Sequence, residues 1–167
     1  MDILVFSDSH GNTRNVMRAL SNQIKKPDAI IFLGDGLGSM SYCDFENIPF
    51  YTVSGNCDVG YFGALFSDDE RIIELGGKKI MMTHGHRYDV KSTLTRLVYT
   101  AAQREADIVL FGHTHLPIEK VLTPDVCEMP KLNKNLYIFN PGAIGAGSFG
   151  VISISREGQV LLSHGRV

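Results

Sequence analysis

Five short polar clusters hold the residues of this chain that could do metal chemistry. They are Ser7-Asp8-Ser9-His10-Gly11, Gly34-Asp35-Gly36, Ser54-Gly55-Asn56-Cys57-Asp58, Thr83-His84-Gly85-His86 and Gly112-His113-Thr114-His115. Aspartate, asparagine and histidine offer oxygen and nitrogen donors, a set that suits borderline and hard divalent cations. In Asp8-x-His10 and His113-x-His115 the two-residue spacing puts both side chains on one side of a locally extended chain, so each pair can close on one ion. Taken singly, the pieces have plainer readings. A lone Asp-x-His is usually a turn whose carboxylate accepts backbone N–H groups, and Gly-Asp-Gly and Gly-Asn-x-Asp are common turns too. Concurrence tips the balance: five of the six histidines, all but His164, fall inside three of these clusters.

The elements that must position these residues are legible as apolar runs alternating with helical patterns, the mark of an α/β protein. Ile3-Leu4-Val5-Phe6, Ala29-Ile30-Ile31-Phe32-Leu33, Phe50-Tyr51-Thr52-Val53 and Asp107-Ile108-Val109-Leu110-Phe111 read as strands. Arg71 to Leu75 and Lys78 to Thr83, joined by Gly76-Gly77, read as a hairpin. Asn12 is expected to cap a helix carrying Val16, Leu20 and Ile24 until Pro27 stops it. Asp89 is expected to open a long helix with Val90, Leu94, Leu97, Val98 and Ala101 on one face. A short helix falls between the second and third strands, and Phe62, Leu65 and Phe66 lie in a stretch without clear period. After Leu116 only strands are expected, at 118–122, 136–139, 151–154 and 160–162. Each polar cluster follows a strand, and parallel strands deliver their carboxyl-end loops to one edge of a sheet, where ligands bind. Strand-helix and strand-only halves fit one domain over residues 1–167, with two packed sheets and helices outside.

Composition narrows the functions available. Sixteen basic against 18 acidic residues, net −2, give no electrostatic footprint for duplex nucleic acid. No apolar run reaches the roughly 20 residues of a membrane span, and Met1-Asp2-Ile3-Leu4-Val5-Phe6 lacks the basic start of a secretory signal. Cys43, Cys57 and Cys127 are an odd number at no metal-binding spacing, which points to a reducing, cytoplasmic setting. A 167-residue chain can build its core without a structural ion, so any metal here would serve chemistry.

The ordered set Asp-x-His, Gly-Asp, Gly-Asn, His-Gly-His and Gly-His-x-His resembles the calcineurin-like metallophosphoesterase superfamily. The short chain, Gly55-Asn56-Cys57-Asp58 and the late Asn140-Pro141-Gly142 turn resemble its YfcE-like, single-domain phosphodiesterases. The resemblance implies a four-layer α/β/β/α sandwich of two mixed sheets with flanking helices. It also implies that Asp8, His10, Asp35 and His115 hold one divalent ion, that Asp35, Asn56, His84 and His113 hold a second, and that Asp35 bridges them. Mn²⁺ is the ion it favours, and Fe²⁺, Ni²⁺ or Zn²⁺ suit the same donors.

Two such ions, about 3.5–4 Å apart, can activate a shared water as hydroxide for in-line attack and clamp the phosphate oxygens. Two carboxylates and a hydroxide against two divalent cations leave a net charge of about +1, matched to an anionic phosphate ester. Asn56 can also donate to a phosphate oxygen, and His86 and Asp58 are candidates either to contact substrate or to orient their neighbours. Arg87 is a weaker candidate for substrate binding. Many superfamily members carry histidine where this chain has Cys57. A thiol with a pKa near 8.5 is a poor general acid, and a missing acid costs about 10²- to 10⁴-fold on poor leaving groups. A diester with a good leaving group suffers least; Cys57 itself reads as inert packing. The expected activity is thus hydrolysis of a small phosphodiester. A phosphomonoesterase or nucleotide phosphatase on the same site is the alternative, and a non-catalytic scaffold, as in the retromer coat, is a third. Whether copies of the chain associate is left open.

Overall fold

The central strands of this protein are apolar on both faces, and the two faces feed different layers. The computed structural model describes residues 1–58, 68–125 and 132–167. In chain order it contains β1 (Asp2–Phe6), α1 (Thr13–Ser21), β2 (Ala29–Phe32), α2 (Leu37–Met40), β3 (Phe50–Thr52), β4 (Glu70–Leu75), β5 (Lys78–Thr83), α3 (Thr95–Gln103), β6 (Ile108–Leu110), β7 (Pro117–Leu122), β8 (Leu136–Pro141), β9 (Ser148–Ile154) and β10 (Val160–Arg166). Single 3₁₀ turns occupy His86–Tyr88 and Ile144–Ala146.

The first sheet has the order β10-β9-β1-β2-β3 and the second β4-β5-β6-β8-β7. Parallel pairing joins β1 to β2 and β2 to β3 in one sheet, and β5 to β6 and β6 to β8 in the other. Antiparallel strands flank both parallel sets, so each sheet is mixed. Ile3, Val5, Ile31 and Leu33 point from the first sheet onto Ile80, Met82, Ile108, Leu110 and Phe139 of the second. One residue out of step, Leu4, Phe6, Ile30 and Phe32 pack outward under Val16 and Ala19 of α1 and Leu37 and Met40 of α2. On the far side Met81, Val109 and Ile138 pack under Leu97, Val98, Ala101 and Ala102 of α3. Period-two alternation in strands apolar on both faces therefore builds three apolar interfaces and the expected α/β/β/α sandwich. Each fully buried Leu, Ile or Phe contributes about 1.5–3 kcal/mol.

Both long helices are shorter than their apolar period predicts. α1 starts where expected, with Asn12 accepting from Asn15 N, but it ends at Ser21 and leaves Ile24 fully exposed. The amide of Asn22 and the side chain of Gln23 satisfy the last carbonyls, those of Arg18, Ala19 and Leu20, and this closes the helix before Pro27. The helix expected from Asp89 begins at Thr95. Asp89 has φ +55 and its carbonyl accepts from Ser92 N and Thr93 N, which makes a turn of this segment. Val90 and Leu94 still join the apolar layer beneath α3, so their burial was legible and their helicity was not. β9 and β10 run longer than their apolar stretches because Gly150 and Gly165 leave room for the rings of Phe139 and Phe149, which a Cβ would strike. Phe62, Leu65, Phe66 and Cys127 lie outside the described residues.

Candidate metal centre

The five polar clusters follow β1, β2, β3, β5 and β6, and the hydrogen bonds between them show how the two sheets share one edge. In the first sheet Asp8 N donates to Gly34 O at 2.9 Å and His10 N to Asp35 O at 3.0 Å. In the second, Gly112 N donates to His84 O at 3.0 Å. Across the sheets, His113 N donates to Asp8 Oδ2 at 3.1 Å, and His84 Nδ1 donates to Leu33 O at 2.7 Å. Gly55 packs so closely on Asp35 that a Cβ there would overlap the carboxylate, and Gly112 stands in the same relation to Ser7.

Two groups of donors converge. Asp8, His10 and His115 bring one ligand atom each within 4.8 Å of one another, and so do Asp35, His84 and His113. His10 Nε2 and His115 Nε2 are 3.4 Å apart, and His115 Nε2 is 3.2 Å from Asp8 Oδ1. His84 Nε2 lies 3.3 Å from Asp35 Oδ2 and 3.9 Å from Asp8 Oδ1, which links the groups. The route to convergence differs from the one the spacing suggests. Asp8, His10, Asp35, His113 and His115 all have φ between +44 and +65, so left-handed backbone and not an extended chain brings Asp8 and His10 together, whereas His113 and His115, expected to close on one ion, are sent to different groups. Such conformations each cost about 1–3 kcal/mol and persist only where the surroundings enforce them, typically at functional sites.

Electrostatics sort these residues by burial. Asp8, Asp35 and His84 are buried, while His10 and His115 face solvent. Burial works to raise the Asp35 carboxyl, but the His84 imidazole and the Cys57 amide, at 2.8 Å, hold it well below the usual carboxylate range. For His84, burial works to lower the imidazole and is outweighed by Asp35 and by the charge of Asp8, which raise it. His113 and His86 are lowered, first by burial and then by the charge of His84. A cation in place of the His84 proton would satisfy the same carboxylates.

The fit to metal ions is supported by atoms without partners. Asp8 Oδ1 and His84 Nε2 are buried with no well-aligned hydrogen bond among the described residues, and in the neutral ring His84 Nδ1, committed to Leu33 O, leaves Nε2 as the lone-pair donor. Orphaned polar atoms at 0% exposure are uncommon in folded proteins, and here they face each other inside a carboxylate and imidazole cluster.

The remaining candidates have varied surroundings. Asn56 is exposed on the loop after β3, and its amide donates to Cys57 Sγ at 3.3 Å. Asp58 accepts four backbone N–H groups, from Asp35, Gly36, Leu37 and Gly55, at 2.8–2.9 Å. Of the two roles weighed for Asp58, this geometry is that of an orienting group. His86 sits at the start of its 3₁₀ turn with Nδ1 buried and unpartnered, its ring 5.6 Å from that of His84. Arg87 pairs with Asp69. Cys57 is exposed, so the packing role expected of it does not hold. Its sulfur instead groups with His10 and Asp35, a thiol where the donor set was read as free of sulfur. The sequence also underplayed Asn140. Buried at the end of β8, it donates to Gly112 O and Thr114 Oγ1 and accepts from Gly142 N, bracing the histidine loop after β6. Only the Asn-Pro-Gly turn signalled it.

The layering and the strand-end donors together place the protein among the metallophosphoesterases. The chain belongs to the calcineurin-like phosphoesterase superfamily, whose domain matches residues 1–156. It is 32% identical over 144 residues to the probable metallophosphoesterase YsnB of Bacillus subtilis, a match covering 86% of this chain and 75% of that protein. A solved archaeal phosphodiesterase superposes with a TM-score of 0.73 at 20% identity, over 98% of this chain and 99% of the other. Zinc-bound Vps29 of Entamoeba histolytica superposes with a TM-score of 0.66 at 17% identity, over 99% of both chains. At those identities the two structures speak for the shared fold alone. No helix among the described residues is long and apolar enough to cross a membrane.

Proposed function

We propose that the protein is a dinuclear-metal-dependent phosphoesterase acting on a small phosphodiester. Asp8, His10, Asp35 and His115 would hold one divalent ion and Asp35, Asn56, His84 and His113 the other, with Asp35 shared. The observation that carries this reading is the pair of convergent donor groups, with Asp8 Oδ1 and His84 Nε2 buried between them without partners. When bound, two such ions supply the Lewis acidity that activates water and neutralises phosphate oxygens. The chain's own groups hold the geometry. His84 is fixed in one tautomer by Leu33, Asp35 is oriented by the Cys57 amide and by the Asp58 clamp on its loop, and Asn56 is free to turn its amide to a phosphate oxygen.

A diester is favoured over a monoester by what Cys57 lacks. The contact with Asp35, then burial, pushes its thiol up from the ordinary value, which makes it a weaker proton donor to a leaving group. The nitrogen and oxygen donors, with the family resemblance, favour Mn²⁺, and Fe²⁺, Ni²⁺ and Zn²⁺ suit the same set. Free Cys43 and Cys57 agree with a cytoplasmic enzyme, which we read as one domain over residues 1–167. The test is to strip the protein of metal, supply Mn²⁺, and compare matched chromogenic diester and monoester substrates. Turnover is expected to depend on added ion and to favour the diester. Preference for the monoester would move the assignment to a phosphatase, and a flat response to every divalent ion would leave the scaffold reading.

A further inference from the structure

Cys57 brings a soft donor into a site otherwise built from oxygen and nitrogen. Its Sγ, a ring nitrogen of His10 and a carboxylate oxygen of Asp35 all lie within 4.8 Å of one another, a third convergent group beside the two that make up the proposed pair. The backbone holds the sulfur there, since Cys57 N donates to Asp35 Oδ1 at 2.8 Å. The sulfur is exposed and accepts from Asn56 Nδ2, so it is presented to the site and not packed into the core. A second sign of a ligand at the same carboxylate comes from the other side. His84 Nε2, fully buried, lies 3.3 Å from Asp35 Oδ2, its one close polar neighbour there, and has no well-aligned hydrogen bond among the described residues.

We propose that His10, Asp35 and Cys57 form an alternative coordination set that captures thiophilic divalent ions such as Zn²⁺, Cd²⁺ or Co²⁺. The inference rests on the dinuclear reading, because His10 belongs to one proposed ion position and Asp35 to both. Capture forms a metal–sulfur bond, breaks the S–H bond and releases one proton to solvent; no oxidant or reductant is involved. Thiolate donors select Zn²⁺ and its softer relatives, whereas Mn²⁺ stands at the weak end of the divalent series and gains least from sulfur. An ion drawn to Cys57 takes two ligands from the working pair, so metal softness decides whether the centre is assembled for hydrolysis or diverted from it.

The experiment titrates metal-free protein with Co²⁺ and records the near-ultraviolet and visible spectrum, alongside calorimetric titration with Cd²⁺ and with Mn²⁺. Wild-type protein is expected to develop an intense sulfur-to-cobalt charge-transfer band together with the weaker visible ligand-field bands. Cys57→Ser and Cys57→Ala should both lose the first and keep the second. Cd²⁺ affinity should fall by about tenfold or more in either variant, while Mn²⁺ affinity moves by less than about threefold. Ligand-field bands without the charge-transfer band in the wild type would overturn the sulfur set and leave the dinuclear reading standing. Neither ligand-field bands nor heat with any ion would overturn both.

Discussion

The two sheets contribute unlike halves to the shared edge. From the first come both carboxylates, Asp8 and Asp35, with His10, Asn56 and the orienting Asp58; from the second come only imidazoles, His84, His86, His113 and His115. The first half is tied down by backbone amides. Four reach Asp58, one reaches Asp35 from Cys57, and Asp8 accepts from His113 N. The second half is anchored differently, by His84 on Leu33 O, by Gly112 N on His84 O and by the Asn140 side chain beneath the loop after β6. Charge follows the same division, because Asp35 is held well below the usual range, whereas the His84 imidazole is raised and those of His86 and His113 are lowered. The first sheet thus supplies permanent charge in a rigid frame, and the second supplies neutral donors whose availability depends on pH.

Removing one donor from each half gives the largest expected effects and separates their roles. Asp35→Asn should abolish metal-dependent turnover and metal binding at both proposed positions, since the proposal makes the carboxylate common to them. His84→Ala should abolish turnover as well but leave one ion bound to Asp8, His10 and His115. Metal content after dialysis against Mn²⁺, read by atomic spectrometry on variants shown to be folded by circular dichroism, checks both. Equal metal loss in the two variants would break the distinction between a shared carboxylate and an unshared imidazole.

The frame itself can be broken without touching a proposed ligand. Asp58→Ala strips acceptors from four backbone N–H groups at the loops after β2 and β3. Hydrogen bonds to a charged group contribute about 1.5–3 kcal/mol each, but Asp58 is half-buried and water replaces part of the loss, so a destabilisation of about 2–4 kcal/mol is expected in urea unfolding. Metal affinity should fall by about 10- to 100-fold, the usual penalty for removing a group that orients a ligand. Asp58→Asn, which keeps one acceptor oxygen, should lie between. Full stability with lost activity would instead make Asp58 a substrate contact.

The sequence disclosed the strand positions and the edge at which the polar residues gather, because strands apolar on both faces and glycine-bearing polar ends are local patterns. It did not disclose where the helices stop. Ile24 keeps a perfect helical spacing with Val16 and Leu20 yet lies in solvent, since the Asn22 amide and the Gln23 side chain close α1 first, and a period cannot show which side chain will take a carbonyl. Asp89 reads as a helix opener; in the structure it is exposed, has φ +55 and closes the 3₁₀ turn at His86–Tyr88. Within the centre, residue types pointed to Asp8, His10, Asp35, Asn56, His84, His113 and His115; the carboxylates and imidazoles converge in two groups, and Asn56 is exposed beside them, donating to Cys57 Sγ. Their left-handed backbone was hidden, because aspartate and histidine lack glycine's obvious licence for it. The Asp58 clamp and the Cys57 sulfur were hidden for a different reason: both depend on how the loops after β2 and β3 fold against each other, which is tertiary information.

The smallest effect, and the finest test of the division between the halves, lies in the metal-free protein as pH rises. The His84 imidazole is raised above its ordinary value because its protonated form sits between Asp8 and Asp35. Its contribution to stability is therefore complete below the unfolded value of about 6.5 and disappears as pH climbs through the folded one. His113, lowered by burial and by the charge of His84, acts in the opposite window: its folded form resists protonation, so it erodes stability as pH falls below about 6.5. Asp35, depressed, contributes at every pH above the unfolded carboxylate range and loses that only as pH falls through its low folded value. Above about pH 6.5 the only one of these three whose contribution changes is His84. Metal-free protein should then lose stability to urea as pH rises from there, while Mn²⁺ affinity rises over the same interval, since neutral His84 can give Nε2 to the ion and no proton need be displaced. His84→Gln should flatten the stability slope. A slope that survives this substitution would place the titration elsewhere and remove the reason for assigning pH sensitivity to the second sheet.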